Sequence, residues 1–409
     1  MASDDPAPAH GVALGEPAAA RPSIGFMALL TAMTALAPLS LQIFVPALPA
    51  IQATYGVPAG TAQLALSLSI LANAFATLSY GPVSDRIGRR PVVLVGLAAF
   101  LAGSAMCALA PDIWTLIVGR IVQAVGAAAG MVLGRAIVRD LYAREQAASM
   151  IAYLTMAMVV APMLAPAVGA ALTDLAGWRS IFVALTILGA LMIWQCRQRL
   201  TETRRGGFGG RLLSGAGALL RSPDFMAYAL QSAFAICTFF AFISGAPYFM
   251  IEVLGRPATE YGLYFILISA GFMLGNLVAA RTTARVGLDR MILIGTSLAL
   301  AGTLLTLVLL VAVSWAPVAL FGPMVGVAFA NGLTVPNAQA GAISVDPMLA
   351  GTASGLAGFL QMSMAAVVSQ AVGMLQDGTP YAMIGFMAAA ALLSLLGFVL
   401  PRRLRRPDR

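Results

Sequence analysis

The stretch Gly81-Pro-Val-Ser-Asp85-Arg86-Ile-Gly88-Arg89-Arg90-Pro91-Val-Val-Leu-Val-Gly96-Leu-Ala-Ala-Phe100-Leu-Ala-Gly-Ser-Ala-Met-Cys107-Ala-Leu-Ala110 decides the class of this chain. Its first third crowds charge into one short turn at Asp85, Arg86, Arg89 and Arg90. The rest, residues 91–110, carries no charge at all. About 20 such residues are what a helix needs to cross a bilayer's hydrocarbon core. Outward from this stretch the same alternation recurs along nearly the whole chain: an arginine-bearing turn, then a long uncharged run.

Composition agrees. Hydrophobic residues make up 60% of the 409 positions and charged residues only 10%, with a mean hydropathy of +0.90. A soluble protein of this size needs far more charge to coat its surface. In lipid every backbone polar group must be paired internally, so only helices or closed barrels survive. Barrel strands would alternate polar and apolar residues, and these runs do not. The expectation is an all-α membrane protein. The net charge of +8 reads as topology and not as affinity for nucleic acid, because the arginines cluster between the apolar runs. Cys107, Cys196 and Cys237 lie in apolar runs without metal or disulfide spacing. No cofactor is expected.

Spans are expected near 24–45, 61–82, 91–110, 113–134, 147–172, 178–196, 224–251, 260–281, 290–313, 315–335, 350–374 and 380–400. Arg86, Arg89, Arg90, Arg135, Arg139, Arg144, Arg197, Arg199, Arg204, Arg205, Arg211, Arg221, Arg281, Arg285, Arg290 and the 402–409 tail fall on one side. The opposite loops hold only Arg179 and Arg256. The positive-inside rule then puts both termini in the cytoplasm of a cell whose inner membrane the chain crosses, and requires an even number of spans. Residues 1–23, with Asp4, Asp5 and Glu16, read as a disordered cytosolic tail and not as a signal peptide. The polar stretch 197–223 divides a six-helix bundle at 24–196 from a second at 224–400, and 401–409 is a basic tail. The halves also match one another: Arg86-Ile-Gly88 through Gly96 lies over Arg285-Val-Gly287 through Gly295 without gaps. Internal repeats of this kind build alternating-access transporters, with the substrate site between the repeats.

The charged turn matches G-x-x-x-D-R-x-G-R-R at every specified position and resembles the signature loop of the major facilitator superfamily. The resemblance implies twelve transmembrane helices in two pseudo-symmetric bundles. It makes Gly81, Asp85, Arg86, Gly88, Arg89 and Arg90 a conformational latch that joins the halves in one state, with Asp346 and Gly351 as its docking point. Gly119-Arg120-Ile-Val-Gln123-Ala-Val-Gly126 is similar to that family's fourth-span motif. A charge such as Arg120 inside an apolar run marks a functional site facing a cavity, or else a packing pair. Pro162, Pro166 and Gly169 resemble the antiporter motif of proton-driven exporters; the same residues also suit a kinked packing helix. Val45-Pro-Ala-Leu-Pro-Ala-Ile51, Arg135-Ala-Ile-Val-Arg139-Asp140-Leu-Tyr142, Ser222-Pro-Asp-Phe225 and Phe242-Ile-Ser-Gly-Ala-Pro247 are similar to the Bcr/CflA branch of drug:proton antiporters. That branch exports bicyclomycin, phenicols or small metabolites.

One departure shapes the functional expectation. Where the branch carries an acid at the end of its first span, this chain has Gln42, and no Asp or Glu is expected near any midplane. Arginine does not deprotonate at usable pH, so Asp174, Glu252 and Asp85 are the remaining candidates for proton handling. The expected activity is efflux of small drug-like or metabolite compounds by alternating access, with protons as the coupling ion. The alternative is a gradient-driven facilitator of a neutral or anionic metabolite. Candidate substrate-binding residues are Gln42, Arg120, Gln123, Tyr153, Gln231, Asn331 and Gln361, each equally able to bond a neighbouring helix. Phe234, Phe239, Phe240 and Phe242 could pad an apolar pocket. No hydrolase, zinc or P-loop motif is present, so an enzyme is not expected. A monomer in the lipid bilayer is.

Overall fold

The computed structural model describes residues 24–203 and 215–404. The expectations for residues 1–23, 204–214 and 405–409 lie outside the described residues. Helices account for the secondary structure, and no strand occurs among the described residues. They are α1 (Ile24–Gln42), α2 (Leu48–Tyr55), α3 (Ala59–Ile87), α4 (Arg89–Leu109), α5 (Ile113–Leu141), α6 (Arg144–Ala176), α7 (Arg179–Arg199), α8 (Ala216–Arg221), α9 (Pro223–Tyr248), α10 (Ala258–Val286), α11 (Leu288–Ala312), α12 (Pro317–Ser344), α13 (Ala350–Met374) and α14 (Tyr381–Leu404). Twelve stretches among the described residues are long and apolar enough to cross a membrane.

The first of these is compound. α1 stops at Gln42, a 3-10 turn occupies Val45–Ala47, and α2 carries the chain on to Tyr55. Pro46 and Pro49 each sit in the first turn of their element, where a missing N–H costs nothing. Prolines within α6 do not break it: Pro162 and Pro166 lie inside one continuous helix.

The repeat seen in the sequence is a repeat of backbone geometry. Gly88 has φ 107° and ψ 156° and joins α3 directly to α4. Gly287 has φ 91° and ψ 144° and joins α10 to α11. Each glycine is at once the last residue of one helix cap and the first of the next. A residue with a Cβ would be strained at these positive φ values. Packing repeats too. α5 packs on α3 and α4, and α4 on α7; in the second half α12 packs on α10 and α11, and α11 on α14. Small residues bring helices close without a hydrophobic driving force between them. A Cβ on Gly103 or Gly126 would run into the backbone of the helix opposite.

The halves meet along two symmetric seams, α3 on α13 and α6 on α10. The turn at Val45–Ala47 and α2 add contacts to α9, and the turn also reaches α10. The central helices take no large part: α5 packs on α1, α3, α4 and α6, and α12 on α9, α10, α11 and α13.

Candidate functional site

The charged turn folds onto its own half. Arg89 is buried and donates through Nη2 to Asp85 Oδ1 at 2.8 Å and through Nε to Asp140 Oδ2 at 3.0 Å, while Nη1 reaches Ser84 Oγ. Asp85 lies in the last turn of α3 and Asp140 in the last turn of α5, so one guanidinium ties three helices together. Glu202 accepts the first backbone N–H groups of α4, from Arg89 at 2.8 Å and Arg90 at 3.1 Å. An anion belongs at that helix end, where the amides have no partner within the helix. Arg90 in turn donates to Leu200 O at 2.7 Å and Arg197 O at 3.3 Å. Arg86 is exposed, and Gly81 faces open space. Asp346 caps its own turn by accepting from Met348 N at 2.9 Å, and Gly351 has nothing close to it. In this conformation, then, the turn does not reach its expected docking point.

Arg120 is 1% exposed and lies inside the first half. Nη1 donates to Ser40 O at 3.0 Å and to Gln123 Oε1; Gln123 Nε2 then donates to Ser104 Oγ at 2.7 Å. The guanidinium carbon stands 3.8 Å from the centre of the Phe44 ring and 5.9 Å from that of Phe182. A desolvated cation over an aromatic face gains about 2 kcal/mol, less than the several kcal/mol that burying an ion costs. Nε and Nη2 have no protein partner. The node links α1, α4 and α5, and all four of its residues are buried.

The second half holds a separate chain of neutral bonds. Gln339 Nε2 donates to Gln361 Oε1 at 3.4 Å, Gln361 Nε2 to Ser232 O at 3.4 Å, and Gln231 Nε2 to Ser394 Oγ at 3.3 Å. Gln42 and Asn331 are buried, and Gln42 Oε1, Asn331 Nδ2 and Gln231 Oε1 lack protein partners. Tyr153 stands apart, 57% exposed, in an apolar groove with Met27, Thr31, Met156 and Val160. Thus Arg120 and Gln123 come together, Gln361 joins the Gln339 chain, and Gln42, Tyr153 and Asn331 make no hydrogen bond to either group. Phe239 and Phe240 meet edge to face, Phe239 lies against Phe265, and Phe242 against Phe321. Gly169 fits under the carbonyl of Ile43, where a Cβ would collide.

Apart from Asp174, the residues whose hydrogen bonds join the halves were not among the sequence candidates. Gln63 Nε2 donates to Ser244 Oγ at 2.9 Å and to Ser369 Oγ at 2.7 Å, and the two serines lie 2.7 Å apart. All three side chains are fully buried. Beside them Ser67 Oγ donates to Gln370 Oε1 at 2.6 Å, and Gln370 Nε2 to Gly60 O at 2.9 Å. Glycine makes the approach possible: a Cβ on Gly373 would come within 2.5 Å of Gln63 Cβ. On the other seam Asp174 Oδ2 accepts from Thr259 N at 2.9 Å and Thr259 Oγ1 at 2.5 Å. These bonds sit at the arginine-poor ends of the helices. Only the isolated polar residues Gln63, Ser67 and Gln370 in apolar helices could have signalled them. Among the described residues no group of three His, Cys, Asp or Glu side chains is placed to hold a metal.

The family described as Major Facilitator Superfamily matches residues 30–369. Multidrug resistance protein D of Escherichia coli is 29% identical over 384 residues, covering 92% of this chain and 94% of that protein. A chloramphenicol resistance protein of Pseudomonas aeruginosa is 31% identical over 317 residues, covering 76% and 75%. Among solved structures, a bacterial homolog of the human lysosomal transporter Spinster, inward-facing and occupied, superposes with a TM-score of 0.71 at 15% identity, covering 92% of this chain and 96% of that one.

Proposed function

The chain belongs to the major facilitator superfamily, and we propose that it exports small neutral or anionic drug-like compounds or metabolites across the inner membrane by alternating access. The carrying observation is that the hydrogen bonds between its halves lie on one side. The hydrogen bonds of Gln63, Ser67, Gln370 and Asp174 hold the arginine-poor ends together, while the signature turn bonds within its own half. With the arginine-rich ends in the cytoplasm, this is an inward-facing state. Closing the inner side would bring Gly351 and Asp346 to the signature turn and would break the Gln63 clamp. The drug-resistance relatives support the direction of transport and the substrate class.

Gln42, Arg120, Gln231 and Asn331 each bury a nitrogen or oxygen without a protein partner. Such an atom costs about 1–3 kcal/mol. We assign them to substrate or water in the course of the cycle, with Gln361, Gln123 and Tyr153 as supporting candidates. Pro162, Pro166 and Gly169 set the shape of α6 against Ile43. For coupling, Asp174 has the best support among the remaining acids, because its carboxylate already bridges the halves. A second reading, a facilitator without proton coupling, is favoured by one observation: the branch's usual acid is Gln42 here.

The reading is tested in intact cells of a drug-sensitive host by accumulation of labelled chloramphenicol. Expression should lower accumulation several-fold, and a protonophore should restore it if transport is antiport. Equal accumulation with and without the protein would overturn export of this class.

A further inference from the structure

α5 is the central helix of the first half, flanked by α1, α3 and α6 with α4 behind it. Gly119 and Gly126 define the side that meets α4, since their neighbours there are Gly103, Cys107, Gly96 and Phe100. At about 100° per residue, Arg135 lies about 180° round the helix from Gly126, and Arg139 about 220° round. Both are exposed. With four helices of its own half on the other sides, that side of α5 fronts the space between the halves. On α12, the corresponding helix of the second half, Gln339 is also exposed.

Neither arginine has an ion-pair partner among the described residues, although acids lie close in sequence. Asp140 and Asp85 are both committed to Arg89. Glu202 holds the first amides of α4, Asp289 accepts from Tyr228 Oη at 2.8 Å, and Asp346 caps its own turn. One helical turn apart, Arg135 and Arg139 repel each other unless an anion lies between them. A planar guanidinium pair is well suited to grip a carboxylate in two-pronged fashion. The vestibule wall on the arginine-rich side is therefore cationic by construction.

We propose that Arg135 and Arg139 form an anion-recruiting site at the inner mouth, taking the carboxylate of small organic anions before they move deeper between α5 and α12. The assignment rests on the inward-facing exporter reading above and deepens it to a substrate charge. A lipid phosphate offers similar chemistry at this depth, so the test must separate the two sources.

The full chain is reconstituted in phosphatidylcholine nanodiscs, and its thermal midpoint is titrated with benzoate, benzamide and benzylammonium at matched ionic strength. Benzoate alone should stabilise in a saturable way. Arg135→Gln or Arg139→Gln should weaken its apparent Kd roughly tenfold, the order set by one charge-assisted hydrogen bond. Arg135→Lys keeps the charge but loses the fork, so its affinity should fall between those of the parent and Arg135→Gln, which guards against misfolding as the cause. Equal effects of the three probes, or a benzoate Kd unmoved by both glutamine variants, would overturn the site. So would stabilisation by phosphatidylglycerol that is lost in both variants while benzoate does nothing, which assigns the pair to lipid. Chloramphenicol carries no charge, and its efflux is scored separately. Its absence with benzoate binding intact would sink the exporter reading and leave the site; the reverse would sink the site alone.

Discussion

Replacing Gln63 by alanine removes the one side chain that bonds α3 of the first half to both α9 and α13 of the second. The cost can be worked from the geometry. Two hydrogen bonds are lost, each worth about 1 kcal/mol net. No further penalty arises from stranded partners, because Ser244 still donates to Phe240 O at 2.7 Å and still pairs with Ser369. The clamped state should therefore lose about 2 kcal/mol, a factor of about 30 in its equilibrium with the state open at the arginine-poor side. An inward-to-outward ratio of about 99 to 1 would fall to about 3 to 1. Double electron–electron resonance between labels on Ala53→Cys and Leu375→Cys, one exposed position in each half, reads that ratio directly. The native cysteines are buried and unpaired. Gly373→Ala should move the distribution the same way by a different route, because its Cβ displaces Gln63. A distance distribution unchanged in both variants would refute the claim that this cluster holds the halves together.

Three more expectations concern single residues. Arg89→Ala should lower stability by about 2–3 kcal/mol, below the roughly 3–5 kcal/mol of a fully buried pair that is broken, since Asp85 and Asp140 are 26% and 21% exposed and stay partly hydrated; an unshifted thermal midpoint in detergent would show that the network contributes nothing net. Arg120→Ala should cost about 3 kcal/mol through the cavity it leaves against Phe44 and Phe182, and Arg120→Met should cost distinctly less; equal midpoints for the two would mean that hydrogen bonding, not packing, dominates there. Gln42→Asp restores a titratable group at the end of α1 and should change the pH dependence of flux relative to the parent, so superimposable pH–rate profiles would remove this position from the coupling path.

The class of the fold was legible because lipid leaves the chain few choices: uncharged runs the length of a bilayer can only be helices. The repeat at Gly88 and Gly287 was legible because a helix-to-helix joint at positive φ tolerates little but glycine. The signature turn was recognisable, but its partners were only half so. Asp140 stood in a quoted stretch, whereas Glu202 gave no local sign that it would hold the amides of α4. Arg120 stood out as a charge in an apolar run, yet the run could not say whether it faced a cavity or Phe44. The clamp was invisible for a different reason. Gln63 meets a serine 306 positions away, and no local periodicity encodes which lone polar residue of one helix will face which of another. Conformation adds to the difficulty, since the same residues must part in the other half of the cycle.

The most direct test of alternating access in this protein is to fasten the clamp covalently. In a background lacking Cys107, Cys196 and Cys237, the substitutions Ser67→Cys and Gln370→Cys place thiols on the two sides of the bond between α3 and α13. They are joined by a short reducible cross-linker, and chloramphenicol flux is measured before linking, after linking and after reduction. Flux should stop when the link forms and return when it is cleaved. Flux that continues at the parent rate through a fully linked protein would contradict the account.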